Sequence, residues 1–171
     1  LGSGYSIDFQ FNDGGILGNN SATLGNFLFG GGSAAGSPTT FGGAAGSVQS
    51  NSVSFNNSSS FQELYEGFTA GSTLSFTVNL TNFSDGATPD AFVVGILDNT
   101  LGNIPTTGFG SQLAQIDLTG AALAPQTFAG TGAFSGVSVT VAPIPEPETY
   151  AMLIAGLGLL GFAARRKHKA A

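Results

Sequence analysis

From Tyr5 to Phe11 apolar and polar residues alternate without a fault: Tyr5, Ile7, Phe9 and Phe11 fall on one side, Ser6, Asp8 and Gln10 on the other. A period of two predicts a strand with one buried face, and Asn12-Asp13-Gly14-Gly15 closes it with residues that favour turns. The alternation recurs over residues 22–29, where Phe27 and Phe29 share a face, over 48–55, and over 73–80, where Leu74, Phe76, Val78 and Leu80 do. Residues 91–97 are apolar throughout, the pattern of a central strand covered on both faces. Segments 113–118 and 134–141 complete a set of seven.

Between these segments the pattern lapses. Residues 30–46 are almost wholly Gly, Ala, Ser and Thr around Pro38 and Phe41, which reads as a low-complexity loop or a sheet edge. Residues 56–60 form a polar turn able to cap a helix. Phe61, Leu64, Tyr65 and Phe68 follow at helical spacing and predict one or two helical turns, with Glu63 and Glu66 together on one solvated face. Strands separated by Gly, Asn, Asp and Pro turns predict an all-β fold, an antiparallel β-sandwich of about seven strands, with barrel closure as the alternative. Fifteen Phe and no Trp give it a Phe-rich core.

Charge divides the chain sharply. Arg165, Arg166, Lys167 and Lys169 are its only Lys and Arg residues, and its one histidine is His168. Residues 1–142 hold every acidic side chain except Glu146 and Glu148, so the body contains no cation and no side-chain salt bridge can form inside it. Such a surface repels phosphate backbones, which excludes nucleic acid as a partner of the body. Charged residues are only 8% of the total; Gly, Ser, Thr and Asn take the polar positions instead, a composition similar to surface-layer, fibre and matrix proteins. Without cysteine there are neither disulfides nor thiolate metal sites. Leu1 is not an initiator Met and leads almost directly into a strand pattern, so a removed or omitted leader is expected.

Behind the body, Pro145-Glu146-Pro147 sits in a Pro/Glu linker over residues 143–149. An apolar run over 150–164 follows, and residues 165–171 form a basic tail. A run of fifteen residues makes a helix of about 22 Å, short of the roughly 30 Å hydrocarbon core, so it predicts a minimal transmembrane helix. The basic tail obeys the positive-inside rule and places the body outside the cytoplasm. The three parts in this order resemble a PEP-CTERM sorting signal, carried by Pro145, Glu146, Pro147, Arg165 and Arg166. That resemblance implies export by a Gram-negative, polysaccharide-producing bacterium, passage through the inner membrane, and processing by an exosortase near residues 145–147. Delivery to the cell surface or extracellular matrix would follow. A buried helix of the domain and a permanent, uncleaved anchor are the alternatives for the apolar run. The body resembles small PEP-CTERM proteins of undefined function through Asp8-Phe9-Gln10-Phe11-Asn12 and the segment from Phe61 to Phe76, a resemblance that implies no catalytic residues.

The residue inventory narrows the chemistry. With His168 in the tail, no Ser/His/Asp triad and no His-based metal centre can form in the body. Glu63 and Glu66, three residues apart, do not by themselves straddle a glycosidic bond, so no enzyme is expected. Asp85, Asp90 and Asp98 flank one predicted strand and are candidate Ca²⁺ ligands, although Asp-Gly and Asp-Asn pairs serve equally in turns; no other cofactor is implied. Tyr5, Tyr65 and Tyr150 are the only rings with a polar tip for stacking on exopolysaccharide. Asn-x-Ser/Thr at Asn19, Asn56, Asn57, Asn79 and Asn82 marks expected surface segments. Sheet edges without Lys invite pairing into a homo-oligomer or filament, for which Tyr5, Ile7, Phe9 and Phe11 form a candidate donated strand. The sequence thus predicts an exported structural protein of the cell surface or matrix, with an exopolysaccharide-binding module as the alternative.

Overall fold

The alternating segment near the N-terminus becomes the middle of a sheet. In the computed structural model, which describes residues 3–15, 18–84 and 87–142 together with Ala155 and Leu157, β1 (Ser3–Asn12) pairs with β6 (Phe61–Thr69) on one side and β8 (Asp90–Leu97) on the other. Outward from β8 lie β9 (Gln112–Leu118) and the short β10 (Gln126–Thr127); outward from β6 lies β3 (Ser33–Phe41). A second sheet runs in the order β4 (Ala45–Ser47), β5 (Ser52–Phe55), β2 (Ala22–Leu28), β7 (Ser75–Leu80). Neighbours in both sheets are antiparallel.

Alternation decides which side chains meet between the sheets. Ile7, Phe9 and Phe11 point inward from β1, Phe92, Val94 and Ile96 from β8, and Leu64 and Phe68 from β6, against Leu24, Val53 and Phe55 of the smaller sheet. Rings carry the contact: Phe11 stacks on Phe55 at 6.3 Å, and Phe9 meets the edge of Phe76 at 5.3 Å. Full burial of each such side chain contributes roughly 1.5–3 kcal/mol. Strand β8 is buried from Phe92 to Leu97 on both faces, as its continuous apolarity predicts.

The sandwich has ten strands rather than seven among the described residues, and the differences have local causes. Residues 61–69 form a strand, not a helix. Leu64 and Phe68, four apart, fit either period, but Gln62 and Glu66 are also buried, so the true inward set is Gln62, Leu64, Glu66 and Phe68. Buried Gln62 is satisfied locally, its Nε2 donating to Asn56 Oδ1 and Ser58 Oγ at 2.8 and 3.0 Å. Glu66, 1% exposed, reaches across to the other sheet and accepts the amide protons of Val48 and Gln49 at 2.6 and 3.1 Å. That cap, with Asn51 in the left-handed region at φ 59°, reverses the chain over residues 48–51, so that of the strand predicted over 48–55 only β5 forms, while β4 precedes the turn. The low-complexity stretch supplies edge strand β3. At the other end, residues 134–141 form no strand; Gly132–Phe134 coils into a 3-10 turn, although Phe134, Val137 and Val139 still pack on the core.

The chain divides into Leu1–Thr140 and Val141–Ala171. Among the described residues no helix is long and apolar enough to cross a membrane. The helix predicted over 150–164 lies outside the described residues except at Ala155 and Leu157, both helical.

Candidate open-face binding site

The strand registers fix which side chains share the outer face of the six-stranded sheet, because directly paired residues point the same way. One transverse row runs Phe41, Glu63, Gln10, Val93, Gln115, Gln126. The next runs Thr39, Tyr65, Asp8, Gly95, Gln112. A third holds Phe61, Asn12, Ala91 and Asp117. With strands about 4.8 Å apart, the first row from β3 to β9 spans roughly 19 Å.

Two carboxyl–amide groups lie on this surface. Gln10 Nε2 donates to Asp8 Oδ2 at 2.8 Å and, more loosely, to Glu63 Oε1 at 3.4 Å. Both its amide protons are thereby committed, and its oxygen remains to accept from a ligand. Gln115 Nε2 donates to Asp117 Oδ1 at 2.7 Å, and Gln126 Nε2 reaches Asp117 Oδ2 at 3.4 Å. Asp8 is 3% exposed, and Gln10 Nε2 bridges it to Glu63. Burial first, and then the Glu63 charge, raise the Asp8 carboxyl to about 7. Burial also raises Glu63, while hydrogen bonds from Asp8 and Gln10 oppose the rise. Of the two carboxyls, Asp8 is the one that burial holds protonated toward neutrality.

A wall rises beside this patch. The segment from Asp98 to Ser111 folds back on the sheet at Gly95, where an added Cβ would lie 3.0 Å from Ser111 O and Oγ. Asn103, Phe109, Gly110, Ser111, Gln112 and Gln10 line a cleft of about 130 Å³. Small-molecule pockets are typically about 300–1,000 Å³, so a chain-like ligand would lie along the face rather than inside a pocket. Phe109, 87% exposed, stands bare at this side. Phe41 and Tyr65 lie 6.4 Å apart at the opposite side, with Phe61 nearby and exposed.

The sequence-derived candidates are distributed differently. Asp90 and Asp98 sit at opposite ends of β8, roughly 26 Å apart at about 3.3 Å per residue, and so do not share a cation. Asp98 caps its own turn, accepting from Thr100 Oγ1, Gly102 N and Thr100 N, and these bonds hold its carboxyl below the usual range. Asp90 is fully buried and bonded to Gly14, Asn20 and Asn57. Asp85 lies outside the described residues. Among the described residues no group of three His, Cys, Asp or Glu side chains is placed to hold a metal ion. Tyr5, Ile7, Phe9 and Phe11 belong to a strand hydrogen-bonded on both sides within its own chain, and their side chains enter the core, so they form no free edge. Glu63 and Glu66 do not share a solvated face: they point to opposite sides of β6, one to the open surface and one into the core. Asn57 is buried too, which removes it from the predicted surface sites.

Asp8, Gln10, Phe41 and Phe109 were not recognisable as a site from sequence. Their one local signal is the alternation itself, which sets Asp8 and Gln10 opposite Phe9.

Residues 143–167 match the family model of the PEP-CTERM protein-sorting motif, the signal of an exported protein sorted by an exosortase to the cell surface. Pro145, Glu146, Pro147, Arg165 and Arg166 fall within the match but outside the described residues. No curated protein and no solved structure matches the chain.

Proposed function

We propose that this exported chain is a surface or extracellular-matrix component of a Gram-negative bacterium that binds exopolysaccharide along the open face of its six-stranded sheet. The sorting signal takes it through the inner membrane, and processing near residues 145–147 delivers the body. One observation carries the reading: Glu63, Gln10, Gln115 and Gln126 share a row, broken by buried Val93, with Phe41 at one end and a cleft walled by Phe109 beside it. Planar amides and carboxylates accept and donate to vicinal hydroxyls, while exposed rings cover the apolar faces of sugars.

Binding without hydrolysis fits the carboxyl pair. Glycosidases hold their two carboxyl groups roughly 5–5.5 Å or 6.5–9.5 Å apart, with the sugar between them. Asp8 and Glu63 instead both accept from one amide nitrogen, Gln10 Nε2, and Asp8 is 3% exposed, so no sugar ring enters between them.

Native electrophoresis through gels containing polysaccharide from the producing cells tests the proposal. The chain is expected to be retarded, and Phe109→Ala, which removes a ring outside the core, to weaken retention by about tenfold, or ~1.4 kcal/mol. Unchanged mobility at every polysaccharide concentration would exclude this function.

A second reading, assembly through sheet edges, is favoured by β7. This six-residue strand ends the four-stranded sheet and contains neither Lys nor Pro to block pairing. Sedimentation at rising concentration should then show oligomers, weakened by Asn79→Lys; a monomer throughout would remove this reading.

A further inference from the structure

Glu63 stands on the open face among aromatic side chains. Phe41 is its cross-strand partner, and Phe61 and Tyr65 flank it two residues away along β6. Phe41 and Phe61 are exposed, while Glu63 is only half-buried, so both rings and charge are accessible. Behind Glu63, Asp8 is almost wholly buried, and its Oδ1 accepts no hydrogen bond from any donor group of the protein. Residues 1–142 contain no Lys, Arg or His, so the body brings no side-chain cation to this pair. A carboxylate beside accessible aromatic faces matches an alkylammonium group: the carboxylate meets its charge, and the ring faces add cation–π attraction.

We infer that the Glu63 end of the face takes the ammonium group of a saccharide, which makes the ligand a polysaccharide containing free amino sugars. This rests on the glycan-binding reading above and specifies its ligand. Polyuronates are disfavoured because Asp8, Glu63 and Asp117 all lie on the same face. A basic peptide is a poorer match, since Asp8 is 3% exposed and Asp117 lies three strands away, which leaves Glu63 as the accessible carboxylate at this end. Its row continues through the amides of Gln10 and Gln115, with Val93 buried between them. Those amides suit the hydroxyls of adjoining sugar units.

The test titrates the full chain with β-1,4-linked glucosamine oligosaccharides, with their fully N-acetylated counterparts, and with oligolysine. The amino form is expected to bind about tenfold or more tightly than the acetylated form, with the difference shrinking as salt rises. Glu63→Gln, nearly isosteric, should abolish the preference. Equal binding of the two oligosaccharides overturns this inference and leaves glycan binding standing. Binding of neither overturns this inference and leaves glycan binding to the gels described above, and oligolysine binding in that case identifies a basic-peptide site. Undiminished preference in Glu63→Gln also overturns it. Should that variant lose its folded far-UV signal, Phe41→Leu, which removes an exposed ring, carries the same test.

Discussion

Asp90→Ala is expected to lower the free energy of unfolding by about 3–5 kcal/mol, a large part of the roughly 5–15 kcal/mol of an ordinary domain. Asp90 begins β8 at one end of the sandwich, where three connections converge. Gly14 N donates to Oδ1 at 2.7 Å from the β1–β2 connection, and Asn20 Nδ2 donates to Oδ2 at 2.9 Å from the same connection. Asn57 Nδ2 donates to Oδ2 at 2.8 Å from the β5–β6 turn. Asn20 extends the knot to the β7–β8 connection, donating to the Phe83 carbonyl at 2.9 Å and accepting the Phe83 amide at 2.8 Å. Gly14 packs against the Thr88 and Pro89 backbone so closely that any Cβ there would clash. Truncating Asp90 takes away an acceptor shared by Gly14, Asn20 and Asn57, at about 1–3 kcal/mol for each buried donor left short of a partner, although Asn57 Nδ2 keeps Asp13 and Asn19 as acceptors. With no Trp in the chain, urea unfolding followed by far-UV circular dichroism is the suitable measurement. A loss below about 1 kcal/mol would show that the knot is not what holds these connections.

The knot also shows where sequence reading stops. Asp90 looked like a loop carboxylate available to Ca²⁺ because its partners, Gly14, Asn20 and Asn57, are 76, 70 and 33 residues away. No periodicity reports such a distance. Strand β1 was legible from end to end, because one face is apolar and the other polar at every step. Strand β6 was not, because Gln62 and Glu66 occupy inward positions and leave Leu64 and Phe68 four apart, a spacing shared by helix and strand. That single misreading hid the open face: with β6 as a helix, Glu63 had no reason to lie beside Gln10 or Asp8. The sorting signal needed no tertiary information, since its three parts are contiguous.

Asp8→Asn is expected to stabilise the protein at pH 8 and to leave it nearly unchanged at pH 4. Folding raises the Asp8 carboxyl from 3.8 to about 7, through burial first and the Glu63 charge second. Below pH 4 the group is protonated in both folded and unfolded chains, and its neutral form fits the site. Between about 4 and 7 the folded chain keeps a proton that the unfolded chain has released, so stability falls as pH rises. Above 7 the loss is complete, at about 4 kcal/mol for a shift of this size. The substituted side chain would present an uncharged amide to the same neighbours, its oxygen accepting from Gln10 and its nitrogen donating to Glu63. The variant should therefore gain roughly 2–4 kcal/mol over the parent at pH 8. Comparing the two chains cancels most contributions from Asp98 and the other carboxylates, whose titration they share. Parallel stability curves across pH 4 to 8 would show that Asp8 titrates outside this range. A gap that opens between about pH 4 and 7 would instead show that Asp8 keeps its proton up to neutrality in the folded chain, beside Glu63 on the face assigned to ligand.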